Sequence, residues 1–527
     1  MSRADLAEAG AARESRPRWA GLARHGAAGA RDSSSRLAGL ARYGAAALAG
    51  AGLALSFPPR TPWWLAVPAF MVLWLVLKGA GARRSAGLGF VFGLAFFLPH
   101  LRWIQHFLGN DFGPSPWLVL SALMALFISG VCALVPLVAK LPAAPVWAAL
   151  LFVLQETARG LIPFNGFPWG RVAFGQVDGP FARLAVIGGA PLVTFAVVVT
   201  GFGLAAWLPR LREWRHGWAV LPFVAALALG PLISVEPQNG QRTVAVVQGN
   251  APDIGLGLLS ARDTLRNNHL RKTSELAALV RGGALPKPDL VVWPESATNT
   301  RAKDPVLDHA VNELGVPVLV SALRNNENSV IAWHPDTGPG ESYAKQELVP
   351  FAEHIPLRPL ARLFTPFADQ PDLNAGTEPG LLNVAGTQVG LGICYEVAYD
   401  YVLRESAQKG AQLLVVPTNN AWYGRGEMTY QQLAMARLRA VEHGRAVVVA
   451  AISGVSAVVR PDGSVVQSTG MFTDDLMVDS VPLRSDITFA TRWGGAIHVL
   501  LTGAAFAACL VGLWARRRTA VPESYRH

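Results

Sequence analysis

Cysteine is nearly absent, with three in 527 residues, and that excludes a disulfide framework. Charge is also scarce. Only 16% of residues are charged, against about 25% in an ordinary soluble chain. Hydrophobic residues make up 51%, which points to a membrane protein, and the length exceeds one ordinary domain. The formal charge of +10 is unevenly placed. Between Pro237 and Ala490 there are 21 Lys and Arg against 26 Asp and Glu, a net of −5. The remainder carries a net of +15. The basic excess follows the apolar segments, so no nucleic acid partner is expected. Of the three thiols, Cys132 and Cys509 fall inside long apolar runs, where cysteine packs as a small apolar group. Cys394 differs. It ends the run Gly390-Leu391-Gly392-Ile393-Cys394-Tyr395-Glu396, a buried-strand pattern that gives way to polar groups.

Residues 1–36 are rich in Ala, Gly, Ser and Arg and read as a disordered, basic cytoplasmic tail. Apolar segments follow at 37–56, 62–79, 86–107, 116–138, 144–162, 187–208, 218–235 and 494–514. A helix crossing the roughly 30 Å hydrocarbon layer needs about 20 apolar residues, so eight transmembrane helices are expected. Seven fill 37–236 and the eighth 491–515, with a short cytoplasmic tail at 516–527. The loops Lys78–Arg84 and Arg210–His216, and Arg516-Arg517-Arg518, are basic and share one side if all eight segments cross. The positive-inside rule then places both termini in the cytoplasm and 237–490 outside the cell membrane. Glu156 and Arg159 interrupt the fifth segment. Three residues apart, they share a helix face. They read either as an ion pair at a helix end or as a headgroup-facing site near Phe167-Pro168-Trp169.

The outer segment has a different texture. Short β-branched runs recur at Val244–Val247, Leu290–Trp293, Pro317–Ser321, Ser329–Trp333, Gln388–Ile393, Leu413–Val416, Ala446–Ala451 and Ser456–Arg460. Helical patterns occupy 262–282, 399–409 and 428–444. Strands alternating with helices predict a mixed sheet covered by helices. Pro461-Asp462-Gly463 predicts a hairpin turn, because Pro presets φ and Gly accepts a positive one.

Three strand ends carry ionisable groups into loops: Trp293-Pro294-Glu295-Ser296, Tyr343-Ala344-Lys345 through Glu353, and Ile393-Cys394-Tyr395-Glu396. Singly, each residue is weak. A glutamate after a strand is ordinarily solvated, and most strand-end thiols are inert. Together they supply a nucleophile, a base and a cation. A thiolate needs a base to take its proton and a positive group to hold the oxyanion of a tetrahedral intermediate.

The motifs W-P-E-S, Y-x-K-x-x-L-V-P-F-x-E, G-I-C-Y-E and P-T-N-N-A-W-Y-G (Pro417 to Gly424), in that order, resemble the nitrilase or carbon–nitrogen hydrolase superfamily. With seven apolar segments before and one after, residues 37–514 resemble its membrane-embedded apolipoprotein N-acyltransferase family. The resemblance implies an α/β nitrilase-like α-β-β-α sandwich on a polytopic helical bundle. It implies a triad of Glu295 as base, Lys345 as oxyanion stabiliser and Cys394 as nucleophile. Glu353, Tyr395, Glu396 and Trp422 match supporting or substrate-binding positions, and the Tyr395 N–H matches an oxyanion donor. Neither metal nor cofactor is implied. The implied partners are a phospholipid acyl donor, phosphatidylethanolamine on the family pattern, and a diacylglyceryl apolipoprotein acceptor, met in the membrane by a monomer. The implied reaction is N-acylation through a Cys394 thioester. A membrane-anchored amidase using the same triad is the alternative. Two departures stand out. No Trp follows Val247-Gln248-Gly249-Asn250, and Phe351-Ala352-Glu353 replaces Phe-Gly-Glu. The loop after Glu353 is apolar at Ile355, Leu357, Leu360, Leu363, Phe364 and Phe367, and reads either as packing or as a lid dipping into lipid.

Overall fold

The computed structural model describes residues 19–210, 212–251, 261–300, 304–362 and 366–520. Its first part is a helical bundle. α1 (Trp19–Leu55), α2 (Ala66–Leu77), α3 (Ala82–His100), α4 (Trp103–Phe112), α5 (Ser115–Val138), α6 (Ala144–Arg159), α7 (Ala185–Trp207) and α8 (Leu221–Leu229) precede the sheets. Helices stand at all eight expected positions, yet among the described residues only four are long and apolar enough to cross a membrane. These are Leu37–Leu55, Ser115–Val138, Pro180–Arg210 and Phe489–Arg518.

The departures from the expected segments have local causes. The first helix starts at Trp19 rather than 37, because no proline interrupts residues 18–57 and alanine, the best helix former, is the commonest residue there. Residues 1–18 of the expected tail lie outside the described residues. The third segment breaks after His100, one residue beyond Pro99, which lacks an N–H to donate. The chain then restarts as α4. The seventh is divided into two 3-10 turns around a nine-residue α8, with Pro222 and Pro231 at the junctions.

Close packing in the bundle rests on small residues. Gly89 and Gly93, four apart on α3, face Cys132 and Ala125 of α5. A Cβ added at either would sit 2.6 Å from Cys132 or 2.8 Å from Ala125.

The second part holds two sheets. One has the order β13-β1-β2-β4-β5-β6, with β3 beside β4. Its strands are β1 (Gln241–Gln248), β2 (Leu290–Val292), β3 (Thr298–Asn299), β4 (Val318–Arg324), β5 (Glu327–His334), β6 (Gly338–Ala344) and β13 (Asp475–Pro482). The other has the order β12-β11-β10-β9-β8-β7. It comprises β7 (Leu381–Val384), β8 (Thr387–Leu391), β9 (Leu413–Thr418), β10 (Val447–Ala451), β11 (Ala457–Val459) and β12 (Val465–Ser468). The Pro461-Asp462-Gly463 turn joins β11 to β12, with Gly463 at φ +83°.

Alternation along the strands builds the layers. Val244 and Val246 of β1 meet Val389, Leu391 and Val415 between the sheets. Ala245 and Val247 point the other way, onto α9 (Arg262–Arg281) and α10 (Pro305–Leu314). The second sheet's outer face packs on α12 (Asp400–Gln408) and α13 (Met428–His443), and this layer is continuous with the bundle core. The short α11 (Arg358–Ala361) lies in the loop after β6, and α14 (Phe489–Ala520) returns to the bundle.

Specific polar contacts fasten the two parts. Gln431 of α13 accepts from the indoles of Trp103 and Trp169, at 3.2 and 2.7 Å, and donates to the His100 carbonyl at 3.1 Å. Arg60 forms a two-pronged pair with Glu427. Asp400 is held between Arg171 and Arg439. Glu156 and Arg159 take neither sequence-derived role. Glu156 accepts from the Val172 N–H and the Thr194 hydroxyl, and Arg159 donates to the carbonyls of Phe167, Trp169 and Gly170. Both tie the loop after α6 back onto α6 itself, and Glu156 also links α6 to Thr194 of α7.

Candidate active site

The expected triad comes together at the ends of strands from both sheets. β2 delivers Glu295, β6 delivers Lys345 and β8 delivers Cys394. Lys345 Nζ lies 2.9 Å from Glu295 Oε1 and 2.9 Å from Glu353 Oε2. Asn328 on β5 donates to Oε1 of both carboxylates at 2.8 Å. Glu295 Oε2 accepts from the Asn419 N–H at 2.9 Å, and Glu353 Oε2 from the Val349 N–H at 2.8 Å. All are buried or nearly so. Burial opposes the charge on Lys345, yet Glu295, Glu353 and the Cys394 sulfur hold its pKa well above the usual value.

Cys394 begins a 3-10 turn with φ +52°, a left-handed conformation that a side chain adopts only when its surroundings enforce it. Burial first, and then the Glu295 charge and hydrogen bond, push its thiol up to about 12. Lys345 and Thr418 pull the other way. The thiol form is therefore favoured over the thiolate near neutral pH.

The remaining predicted residues separate by role. Glu396 is fully buried beneath the site. It accepts from the N–H groups of Ile393, Gln346 and Glu347, at 2.6, 2.7 and 3.1 Å, and from the Tyr343 hydroxyl. It ties the lysine loop to the cysteine turn. Tyr395 faces the bundle. Its hydroxyl donates to the Gly166 carbonyl at 3.1 Å, and its ring stacks 6.2 Å from Phe167. Trp422 does not line the space above Cys394. It packs on Ala251, Leu265, Ala421 and Ile452 and meets Phe107 edge-on, while Tyr423 forms the wall.

A cavity of about 520 Å³ opens directly from Cys394. Trp103, Phe107 and Leu108 of α4 and Leu120, Leu123 and Met124 of α5 form one side. Phe164, Phe167, Val349, Phe351 and Ile355 form another, and nearly every lining group is apolar. Its volume suits a ligand of small-molecule size. In the sequence-predicted lid, Leu357 and Leu360 are exposed, and Leu363, Phe364 and the Phe367 side chain lie outside the described residues. So do residues 252–258, where the expected Trp is missing.

Sequence reading missed Asn328, Thr418, Asn419, Tyr423 and Gln432. Thr418, Asn419 and Tyr423 stood inside the Pro417–Gly424 motif but were not singled out. Asn328 and Gln432 carried no signal, since a polar residue in a strand or helix is ordinarily a surface one.

Facing sheets flanked by helices, with Glu, Lys and Cys at their strand ends, define a carbon–nitrogen hydrolase domain. A family model described as carbon–nitrogen hydrolase matches residues 243–485, and one described as apolipoprotein N-acyltransferase N-terminal domain matches 49–203. The apolipoprotein N-acyltransferase of Mycolicibacterium smegmatis is 37% identical, covering 89% of this chain and 84% of that protein. Those of Pseudomonas syringae and Pseudomonas putida are 30% and 29% identical, covering 85% and 84% of this chain and 92% of each relative. The chain belongs to the apolipoprotein N-acyltransferase family. Among solved structures it is similar to a Saccharomyces cerevisiae member of the nitrilase superfamily, at 17% identity and a TM-score of 0.35, covering 47% of this chain and 92% of that one.

Proposed function

We propose that this protein acylates the α-amino group of the diacylglyceryl-cysteine at a lipoprotein's N-terminus, taking the acyl group from a phospholipid. The observation that carries the reading is the apolar cavity that runs from bundle helices α4 and α5 to Cys394. A hydrolase for small polar amides has no use for such a chamber; an acyl chain fills it by burying apolar surface.

Two transfers follow. Glu295 takes the Sγ proton as the sulfur electron pair attacks the ester carbonyl carbon. The Lys345 ammonium and the Tyr395 N–H meet the oxyanion. The ester C–O bond breaks, and the lysophospholipid oxygen leaves with the proton from Glu295. The acceptor's amine nitrogen then attacks the thioester carbonyl carbon, Glu295 takes the amine proton, the C–S bond breaks to leave the amide, and Glu295 returns that proton to Cys394 Sγ. Glu353 and Asn328 hold the lysine and the base in register. Phosphatidylethanolamine is the proposed donor.

The proposed orientation puts residues 237–490 outside the cell membrane. Packing supports it. Gly39 lies against Arg84, and Gly512 near the end of α14 against Leu137 near the end of α5. The basic ends of α1, α3, α5 and α14 thus gather at one end of the bundle, and Gln431 and Glu427 fasten the sheets to the other. Positive charge stays on the cytoplasmic side. On this reading the shorter helices cross as well, to make eight.

Intact-mass spectrometry of purified protein mixed with phosphatidylethanolamine micelles tests the scheme. Wild type gains one acyl mass, Cys394→Ala gains none, and a diacylglyceryl-cysteinyl peptide discharges it. Absence of any adduct, with hydrolysis of small amides instead, would favour the membrane-anchored amidase.

A further inference from the structure

We propose that Thr418 and Gln432 are catalytic residues that stabilise the Cys394 sulfur as its proton leaves, and that Asn420 is the positioning residue that aims Gln432. The inference rests on the reading of Cys394 as the acyl carrier.

The sheet register brings the first pair together. β8 and β9 run parallel, with Leu391 opposite Val415. Cys394 lies three residues beyond Leu391, and Thr418 three beyond Val415. Two adjacent strand ends therefore present a thiol and a hydroxyl side by side, with Thr418 Oγ1 3.2 Å from Sγ. Gln432 comes from the other direction, on the buried face of α13, with Nε2 3.6 Å from Sγ. Its Oε1 accepts from Asn420 Nδ2 at 2.7 Å and lies 2.8 Å from Thr418 Oγ1. Donors on both sides of Oε1 leave Nε2 facing the sulfur. Asn420 is itself held, by Thr429 and the Met428 sulfur. Thr418, Asn420 and Gln432 are all buried, with at most 3% exposure, so water does not take their place.

One hydroxyl proton faces two acceptors. While the sulfur is protonated, the amide oxygen of Gln432 is the stronger acceptor, and the Thr418 hydroxyl points there. When Glu295 removes the thiol proton, the hydroxyl turns to the sulfur, and Asn420 still satisfies Gln432 Oε1. The stabilisation is therefore stronger once charge has developed, which lowers the barrier rather than the ground state. The same donors hold the departing sulfur when the amine displaces it from the thioester.

The test uses the full-length protein in detergent micelles. Cys394 alkylation by iodoacetamide is followed by peptide mass spectrometry, which separates it from Cys132 and Cys509. Thr418→Val and Gln432→Met keep volume and remove the donor. Each is expected to slow alkylation at a given pH about tenfold and move the pH profile up by about one unit. Acyl loading should lose kcat with KM for phospholipid unchanged, and Thr418→Ser should restore it. Wild-type alkylation profiles in both variants, or a Thr418→Ser protein as slow as Thr418→Val, would overturn the proposal. Gln432→Met decides alone if Thr418→Val does not fold. If wild type loads no acyl group yet the alkylation profiles still shift, the acyltransferase reading falls and the thiolate role stands.

Discussion

Glu295 and Glu353 share two side-chain donors, Lys345 and Asn328, so two carboxylates are balanced by one ammonium and one amide. Asn328→Leu removes the neutral donor and leaves two like charges competing for Lys345. Each Oε1 then keeps only the Lys345 ammonium, and a lost hydrogen bond to a charged group costs about 1.5–3 kcal/mol. Acyl loading should fall by about 10- to 100-fold while the protein remains folded, as read by loading rate beside a thermal melt.

The raised thiol pKa fixes the sign of a pH effect. Only the thiolate is alkylated. With the thiol pushed up to about 12 by burial and by Glu295, the unloaded enzyme should alkylate tenfold faster for each pH unit from 7 to 10. A plateau below pH 9 would show that the free enzyme already holds a thiolate.

Gln431 is the polar pin between the bundle and the sheets. Gln431→Leu strands two indole N–H groups and the His100 carbonyl in a buried contact. The expected loss is on the order of 1–3 kcal/mol, seen as a lower melting temperature in micelles. An unchanged melt would mean that the apolar packing around Trp103 and Trp169 suffices.

Cavity length should set chain preference. Met124→Trp adds bulk to the α5 wall and shortens the space above Cys394. The adduct formed from mixed-chain phospholipid should shift toward shorter acyl groups, at a stability cost of about 1–3 kcal/mol. An unaltered adduct distribution would place the acyl chain elsewhere.

Glu396 links two loops rather than touching the reacting atoms. Glu396→Gln puts an amide N–H₂ against the backbone N–H groups of Ile393, Gln346 and Glu347, which can only donate. The lysine loop should loosen, and loading should fall more than tenfold. Protease cutting near 345–353 should rise; unchanged cutting would argue against the clamp.

Much was legible in the sequence because it was local. Buried strands such as Val447–Ala451 need continuous β-branched runs, and α9, α12 and α13 show helical periodicity that the structure reproduces within a residue or two. Glu295, Lys345 and Cys394 followed strand ends in recognisable motifs. Edge strands β7 and β13 did not stand out, because an edge with an exposed face needs no apolar run. The break at Pro99 was readable as a proline, but the turn into α4 depends on Trp103 finding Gln431, 328 residues away.

The sequence alone determined the membrane-like composition, the order of the motifs and the identities of Glu295, Lys345 and Cys394. The tertiary structure decided what surrounds them. It placed Asn328 between two carboxylates, set Thr418 and Gln432 on the sulfur, turned Tyr395 toward the bundle and Trp422 away from the cavity, and built that cavity from helices and loops far apart in the chain. Motifs report chemistry that short backbone segments impose, whereas a cavity and a hydrogen-bond partner arise only where distant segments meet.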